Sequence, residues 1–233
     1  MASNDSPFFL LYFGVTHSGK STDLEKFMKR CGKPSVFVYN RGYDKDWAGF
    51  EEIELIADKK SKTLYFLYKG KEYDFNKHFF KKFHRKKVKC IEAEDELAEE
   101  LLFNSLARKD PNNDKYKKQL FFIIEDATTI FNSSLKRLHR RLFYRLKHAG
   151  VWTCLVCHDP AIFPIRAYGP VTMVRFFKMS IEPDIKKAKV IPHFRQFLAA
   201  YKFLSKAPRF SSCTLDMTTG KLTKKTFKKP IKK

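Results

Sequence analysis

The sequence predicts an α/β fold with a mostly parallel sheet, and three observations support this prediction. Short apolar runs of strand length alternate along the chain with amphipathic patterns of helical period. Several of these runs are apolar without interruption, which is typical of parallel strands that are buried on both faces. Finally, 43% of the 233 residues are apolar and 15% are aromatic, a composition that excludes an intrinsically disordered chain.

The N-terminal part of the chain predicts two buried strands with a helix between them. The run Phe8–Phe13 is continuously apolar and ends at Gly14, so it predicts a buried strand. A helix is expected over Ser21–Arg30, where apolar side chains recur on one stripe. The second strand is expected over Val36–Tyr39, after a glycine and a proline that interrupt the helical pattern.

A small antiparallel β-hairpin insertion is expected at about residues 51–90. Two strand-like runs, Ile53–Ile56 and Thr63–Tyr68, precede a turn at Lys69-Gly70-Lys71. The insertion ends in a basic and aromatic stretch, Lys77–Lys89. This stretch fits a phosphate-backbone contact surface and also an amphipathic helix with buried phenylalanines. The two interpretations are compatible, because one face can pack while the other binds.

Helices and strands continue to alternate through the second half of the chain. An acidic helix is expected over Glu94–Ala107, followed by a buried strand over Leu120–Ile124. A long helix is expected over residues 132–148, with leucines on its buried stripe. Two further buried strands are expected over Val151–Cys157 and Val171–Phe177.

A last helix, from Pro192 to about Ser205, ends the predicted main domain, residues 1–205. Residues 206–233 form a basic C-terminal extension. Its last segment, Lys221–Lys233, contains seven lysines and two threonines. We expect this segment to be a mobile basic tail.

The chain is strongly basic, with 47 Lys and Arg against 25 Asp and Glu, which gives a formal net charge of +22. Such a charge favours a polyanionic partner, with nucleic acid as the first candidate and an anionic membrane surface as the second. No apolar run approaches the roughly 20 residues that a spanning helix needs. The polar segment Met1–Pro7 does not resemble a signal peptide. The five scattered cysteines are expected to be free thiols.

The most specific motif lies directly after the first predicted strand. The run Gly14-Val-Thr-His-Ser-Gly19-Lys20-Ser21 fits the pattern G-x-x-x-x-G-K-[ST]. Its glycines let the backbone curl so that N–H groups point at phosphate oxygens, and the following helix N-terminus adds positive charge. Lys20 can reach the β- and γ-phosphates of ATP, and the Ser21 hydroxyl can coordinate Mg²⁺. The predicted nucleotide-binding residues are Gly14, Val15, Thr16, His17, Ser18, Gly19, Lys20, Ser21 and Thr22.

Two acidic residues, Glu125 and Asp126, follow the apolar strand Leu120–Ile124. They are expected at the carboxyl edge of the sheet, where a phosphate loop needs a carboxylate to hold its Mg²⁺. One acid can hold the metal, and the other can orient or deprotonate the attacking water. Glu125 occupies the metal position, but the sequence leaves open whether Asp126 or Glu125 is the base.

With these two motifs, the chain resembles the FtsK–HerA superfamily of P-loop ATPases. It is most similar to viral genome-packaging ATPases, with the Zot-type phage assembly ATPases as near relatives. The resemblance covers roughly Pro7–Lys178, and beyond the phosphate loop it uses Phe122–Ala127, Lys147–Gly150 and the strand that runs from Val151 into His158. It implies a three-layer, RecA-like P-loop NTPase core of the additional-strand (ASCE) type.

The resemblance also implies two further parts of the site. The family commonly has a polar sensor, frequently Gln, at the tip of the strand after the acid strand. The matching residue here is His158, so the sensor role is open. Ring-forming relatives complete the site with an arginine from the next subunit, and the candidates here are Arg141, Arg145 and Arg166. The alternative for these arginines is a solvated or DNA-facing basic surface.

For function, the resemblance implies ATP hydrolysis coupled to the movement of double-stranded DNA into a viral capsid. It implies ATP and Mg²⁺ as cofactors, a homo-oligomeric ring (pentamer or hexamer), and partners at a capsid vertex or portal. The expected location is the host cytoplasm during assembly, with retention at a capsid vertex as a further option. Three alternatives stay open: a P-loop nucleotide or small-molecule kinase, a phage extrusion or assembly ATPase of the Zot type, and a basic structural protein without ATPase activity.

Cys154 and Cys157 have the C-x-x-C spacing of some zinc and redox sites. Residues three apart in a strand point to opposite faces, so both thiols cannot easily bind one ion. Buried structural cysteines are the favoured interpretation.

Overall fold

The computed structural model describes residues 8–40, 47–91, 96–131, 137–158, 160, 163–164, 167–184, 186 and 189–227. The strands are β1 (Phe9–Phe13), β2 (Ser35–Asn40), β3 (Glu51–Asp58), β4 (Thr63–Tyr68), β5 (Lys71–Asp74), β6 (Lys87–Ile91), β7 (Leu120–Ile124), β8 (Trp152–Cys157), β9 (Met173–Phe176), β10 (Ser212–Asp216) and β11 (Leu222–Lys225). The helices are α1 (Lys20–Cys31), α2 (Phe80–Lys82), α3 (Glu96–Ala107), α4 (Asp114–Lys117), α5 (Ala127–Ile130), α6 (Arg137–His148) and α7 (Phe194–Lys206), and a π-helical turn, Phe75–Phe79, precedes α2.

All of these strands belong to one sheet, in the order β11-β10-β9-β1-β8-β7-β2-β6-β3-β4-β5. The strands from β9 to β3 in this order pair in parallel. The antiparallel strands lie at the two ends, with β4 and β5 at one end and β10 and β11 at the other. The structure therefore confirms the predicted mostly parallel α/β sheet.

Helices cover both faces of the central strands, because those strands carry apolar side chains on both faces. On one face, Leu24 and Met28 of α1 pack against Leu10 and Tyr12 of β1 in a single buried cluster. The other face belongs to a larger buried cluster that includes residues of α3, α6 and α7, among them Leu102, Phe103, Leu142, Leu146, Phe197 and Leu204. This arrangement has the three layers that the resemblance implies.

The predicted insertion forms an antiparallel meander of β3, β4 and β5. The start of β3 also pairs in parallel with β6, so the meander continues the central sheet. The phenylalanines of the basic and aromatic stretch are buried, and the ring centroids of Phe79 and Phe83 lie 5.2 Å apart. Several lysines of this stretch are exposed, including Lys77 and Lys81. One face of the stretch therefore packs as predicted, but the stretch is not one amphipathic helix, because α2 ends at Lys82 and Lys87–Ile91 forms β6.

The C-terminal extension corrects one prediction. Leu222–Lys225, which the sequence places in a mobile tail, forms β11 and pairs with β10. The turn between them is stabilised by Asp216, whose Oδ1 accepts hydrogen bonds from the backbone N–H groups of Thr218 and Thr219 at 2.8 and 3.0 Å. The division of the chain into a domain of residues 1–205 and an extension stays a prediction, and residues 228–233 lie outside the described part.

Two further predictions concern the helices. The start of the long predicted helix, residues 132–136, lies outside the described residues, and α6 covers the rest. Among the helices that the structure describes, none is long and apolar enough to cross a membrane.

Candidate nucleotide-binding site

The phosphate loop connects β1 to α1 at the carboxyl edge of the sheet. Two backbone hydrogen bonds fix its first turn: Gly14 N–H donates to the Cys157 carbonyl (3.3 Å), and Val15 N–H donates to the Lys178 carbonyl (2.8 Å). A Cβ on Gly14 would lie 2.7 Å from Phe177 Cβ, so a larger residue does not fit there. Gly19 has φ +98°, a left-handed conformation that glycine adopts without strain. The loop therefore needs both of its motif glycines.

Lys20 begins α1, and its side chain lies under the loop. The Lys20 Nζ donates hydrogen bonds to the carbonyls of Gly14 (2.6 Å) and Val15 (3.0 Å). Only 8% of the residue is exposed, so its positive charge is held inside the curve of the loop. Ser21 is half-buried in the same first turn of α1, and Thr22 is exposed beside it. The structure thus brings the predicted phosphate-binding residues together at a helix N-terminus.

The two acids differ in their surroundings. Glu125 follows β7 directly, is 9% exposed, and its backbone N–H donates to the Tyr39 carbonyl at the end of β2 (2.9 Å). Asp126 has φ +43°, a left-handed conformation that is uncommon for residues other than glycine. Residues with such a strained backbone often occur at functional sites. The Asp126 side chain is 37% exposed. The sharp turn at Asp126 therefore gives the site one buried and one accessible carboxylate.

His158 and Asp126 are neighbours. The His158 Nε2 lies 3.5 Å from Asp126 Oδ1, and the same oxygen accepts a hydrogen bond from the Thr128 hydroxyl at 2.9 Å. His158 follows β8, which pairs with β1 on one side and β7 on the other. Because parallel strands end at the same edge, the residue after β8 lies between the phosphate loop and the acid strand. The sensor role of His158 stays a prediction.

The Cys157 thiol, at the end of β8, responds to the charges of the site. Burial raises the pKa of this thiol well above its ordinary value, and the carboxylates of Asp126 and Glu125 raise the pKa further. The positive charge of Lys20 acts in the opposite direction and lowers it. The loop lysine and both acids therefore lie around the end of β8. Burial also raises the pKa of Cys154, which belongs to the buried cluster on the opposite face of the sheet. The two thiols therefore lie on opposite faces of the sheet, and none of the five cysteines forms a disulfide.

The donor atoms at this edge suit Mg²⁺. Magnesium prefers oxygen ligands and is usually bound through one or two carboxylates together with substrate phosphates. Ser21 offers a hydroxyl, and Glu125 offers a carboxylate in a mostly buried position where a cation would offset its charge. In the described part of the chain, no group of three or more His, Cys, Asp or Glu residues could hold a metal by itself.

Of the predicted arginines, Arg145 can be placed, and it is not part of this constellation in its own chain. Arg145 is exposed near the C-terminal end of α6, which leads into the start of β8 at the opposite, amino edge of the sheet. There it lines an open groove together with Arg108, Lys109 and His148. Arg166 and the side chain of Arg141 lie outside the described residues. An arginine contribution from a neighbouring subunit stays a prediction.

Sequence reasoning missed a mostly buried ion pair beside the phosphate loop. Arg175 on β9 donates from a guanidinium N–H to Asp23 Oδ1 at 2.9 Å, and the Tyr12 hydroxyl donates to Asp23 Oδ2 at 3.0 Å. Asp23 lies in the first turn of α1, so these bonds tie the helix to β1 and β9. The available signal is a single arginine in the apolar run Val171–Phe177, because a buried charge needs a partner.

We expect Arg175→Met to lower the free energy of unfolding by about 3 kcal/mol, because it leaves Asp23 partly buried without its cation. Urea denaturation measures this change. The matched control is Lys77→Met, which removes the exposed cation of the Lys77–Asp74 pair (3.4 Å) and is expected to cost less than about 0.5 kcal/mol. Equal losses in the two variants would contradict a stabilising role for the Arg175–Asp23 pair.

Together, the phosphate loop after β1, the acids after β7 and the intervening strand β8 define the fold of an additional-strand P-loop ATPase. No protein-family model matches the sequence, and no curated protein matches it. Solved structures do match. The genome packaging NTPase B204 from Sulfolobus turreted icosahedral virus 2, in complex with AMP, superposes with a TM-score of 0.66 and 13% identity over 97% of this chain and 98% of that chain.

Two further structures are similar. B204, the DNA-packaging ATPase from Sulfolobus turreted icosahedral virus, has a TM-score of 0.64 and 14% identity over 98% of this chain and 100% of that chain. The N-terminal domain of zonular occludens toxin from Neisseria meningitidis has a TM-score of 0.44 and 12% identity, over 79% of this chain and 90% of that chain. The two B204 matches confirm the fold that the resemblance to the FtsK–HerA superfamily implies.

Proposed function

We propose that this chain is a Mg-ATP-dependent motor that moves double-stranded DNA, of the type that packages viral genomes. One observation carries the ATPase part of the proposal. The phosphate loop follows β1 and the buried Glu125 follows β7, and because β8 lies between these two strands, His158 lies between the loop and the acid. The DNA part is supported by similarity to the B204 packaging ATPases over nearly the whole of both chains. The formal net charge of +22 supports it further.

In this proposal, each residue of the site has a distinct task. Lys20 and the N–H groups of the loop bind the phosphate tail, and Ser21 and Glu125 hold Mg²⁺. When bound, Mg²⁺ neutralises charge on the phosphate oxygens. Asp126, accessible and oriented by Thr128, takes a proton from the attacking water. His158 contacts Asp126 and can sense the γ-phosphate through its remaining hydrogen-bonding capacity.

The DNA-binding surface that we propose includes Arg108 and Lys109, which line the groove beside α6. Cations in a groove contact DNA phosphates without reading bases. A homo-oligomeric ring (pentamer or hexamer) would bring an arginine of one subunit, Arg145 or one of the undescribed candidates, to the nucleotide of the next. The partners in this proposal are proteins at a capsid vertex or portal. The proposed location is the host cytoplasm.

The test of this function is the release of free phosphate from Mg-ATP, measured with and without double-stranded DNA. We expect DNA to stimulate the rate, and the DNA concentration for half-maximal stimulation to rise steeply with salt. With 6–10 phosphate contacts, affinity falls by about 10³- to 10⁵-fold between 50 and 200 mM salt.

Three outcomes would contradict the motor. A phosphorylated small acceptor in place of free phosphate would indicate a kinase. No hydrolysis under either condition would indicate a basic structural protein. ATP turnover that DNA does not change would remove the DNA part of the proposal and leave the ATPase part intact.

A further inference from the structure

An aromatic pocket borders the phosphate loop on the side away from the two acids. Its volume is about 310 Å³, and it lies between the first turns of α1 and the C-terminal hairpin of β10 and β11. This volume is at the lower end of the range for small-molecule sites, about 300–1,000 Å³. Residues that line it include Gly19, Thr22, Lys26, Phe177, Phe210 and Phe227.

Two phenylalanine rings of this pocket face solvent. Phe210 is 46% exposed and Phe227 is 39% exposed, and their ring centroids lie 5.5 Å apart at an interplanar angle of 72°. Among the described residues, five large apolar side chains are exposed, and two of the five are this pair. Exposed aromatic rings that share a pocket offer flat apolar surfaces on which another ring can stack.

The backbone holds Phe210 at the loop in an unusual conformation. Phe210 has φ +73°, which is a genuine outlier for a bulky residue and often marks a functional site. A Cβ on Gly19 would lie only 3.1 Å from Phe210 Cδ1, so the ring lies directly beside the loop glycine.

Hydrogen bonds on both sides secure this geometry. Arg209 donates two hydrogen bonds, of 3.2 and 3.0 Å, to the carbonyl of the loop residue His17. The Phe227 N–H donates to the Ser211 hydroxyl at 3.0 Å, which ties the end of β11 to the residue after Phe210. The two rings are therefore fixed relative to the phosphate loop rather than left on free loops.

The strand order places this pocket and the acids on opposite sides of the loop. β1 has β8 and β7 on one side, with His158, Glu125 and Asp126 at their ends, and β9, β10 and β11 on the other. Because β10 runs antiparallel to β9, it begins at the carboxyl edge, and β11 ends there. A nucleotide whose γ-phosphate lies toward the acids therefore extends its other end toward Phe210 and Phe227.

We propose that Phe210 and Phe227 form the binding site for the purine base of the nucleotide, by stacking. This inference rests on the proposed ATPase function and adds to it the residues that recognise the base. It also gives the C-terminal extension a role at the active site. Truncating an aromatic residue that stacks on a base weakens binding by about 10- to 100-fold.

The test compares the binding of two ligands to the full chain by calorimetry: Mg-ATP, and Mg-tripolyphosphate, which lacks the base and ribose. We expect Phe210→Ala and Phe227→Ala to weaken ATP binding by about 10- to 100-fold and to leave tripolyphosphate binding within about twofold. Phe210→Tyr, which keeps a ring, is expected to bind ATP like the wild type. Phe210→Gly, which relieves the left-handed backbone, separates loss of the ring from backbone strain and is expected to behave like Phe210→Ala.

The matched control is Tyr144→Ala, which removes another exposed aromatic ring, 48% exposed on α6, and is expected to change neither affinity. Wild-type ATP affinity in both Phe→Ala variants would overturn the base site. A parallel loss of ATP and tripolyphosphate binding in both Phe210→Ala and Phe210→Gly would also overturn it, because the residue would then only support the loop. If the wild type binds neither ligand, the proposed ATPase function itself fails, which is a distinct result.

Discussion

Asp126→Asn is expected to lower kcat for ATP hydrolysis by about 10²- to 10⁴-fold while ATP affinity stays within about threefold, because the base that takes the proton from water is lost. Asparagine has nearly the same shape, tolerates the left-handed φ of +43°, and can still accept the hydrogen bond from the Thr128 hydroxyl. The substitution therefore removes the proton acceptor and keeps the turn. Single-turnover phosphate release, with ATP binding measured in parallel, separates the two effects.

Glu125→Gln is the matched variant, since it makes the same chemical change at the neighbouring, buried acid. If Glu125 holds Mg²⁺, this variant needs more Mg²⁺ for half-maximal activity, and its nucleotide binding in EDTA equals that of the wild type. The assignment of roles would be reversed if Glu125→Gln kept its Mg²⁺ dependence and lost kcat, while Asp126→Asn hydrolysed ATP normally. The pair of variants therefore resolves a question that the order of the two acids leaves open in the sequence.

The central part of the fold could be predicted because its signals are local. β1 and β7 are buried on both faces and are uninterrupted apolar runs, and β8 is equally buried with only Thr153 breaking its apolar run, so the sequence shows all three directly. The phosphate loop could be predicted equally well. The close approach of Phe177 to Gly14 and the left-handed φ of Gly19 both require glycine, so the motif has specific residues at fixed spacing. Residues that act within one strand–loop–helix unit leave a pattern in a short stretch of chain.

The parts that could not be predicted depend on contacts between distant segments. The sequence of β11 is lysine-rich and predicts a tail. The segment forms a strand because it pairs with the edge strand β10. Arg209 bonds to His17 across a separation of 192 residues, and Arg175 bonds to Asp23 across 152 residues. No periodic pattern records such contacts, so the sequence does not reveal that Phe210 reaches the loop.

Lys20→Ala is expected to lower kcat/KM for ATP hydrolysis by about 10³-fold or more, because the same ammonium group serves the bound nucleotide and the transition state. The Lys20 Nζ already lies within 2.6 and 3.0 Å of the Gly14 and Val15 carbonyls, inside the curve where the phosphates would lie. Its removal takes away the positive charge at the centre of the loop. It also leaves those two carbonyls without this donor, so ATP affinity is expected to fall as well.

Lys29→Ala is the control for charge, because it removes a lysine from the exposed last turn of the same helix and is expected to leave turnover unchanged. The thermal midpoint of both variants shows whether the fold is kept. DNA binding by Lys20→Ala should equal that of the wild type, since Lys20 is 8% exposed and is not available to a DNA backbone. Wild-type ATP turnover in Lys20→Ala would contradict the phosphate-loop assignment. Loss of DNA binding without a change in thermal midpoint would show that nucleotide and DNA binding are coupled, a result that the present assignment of separate surfaces does not allow.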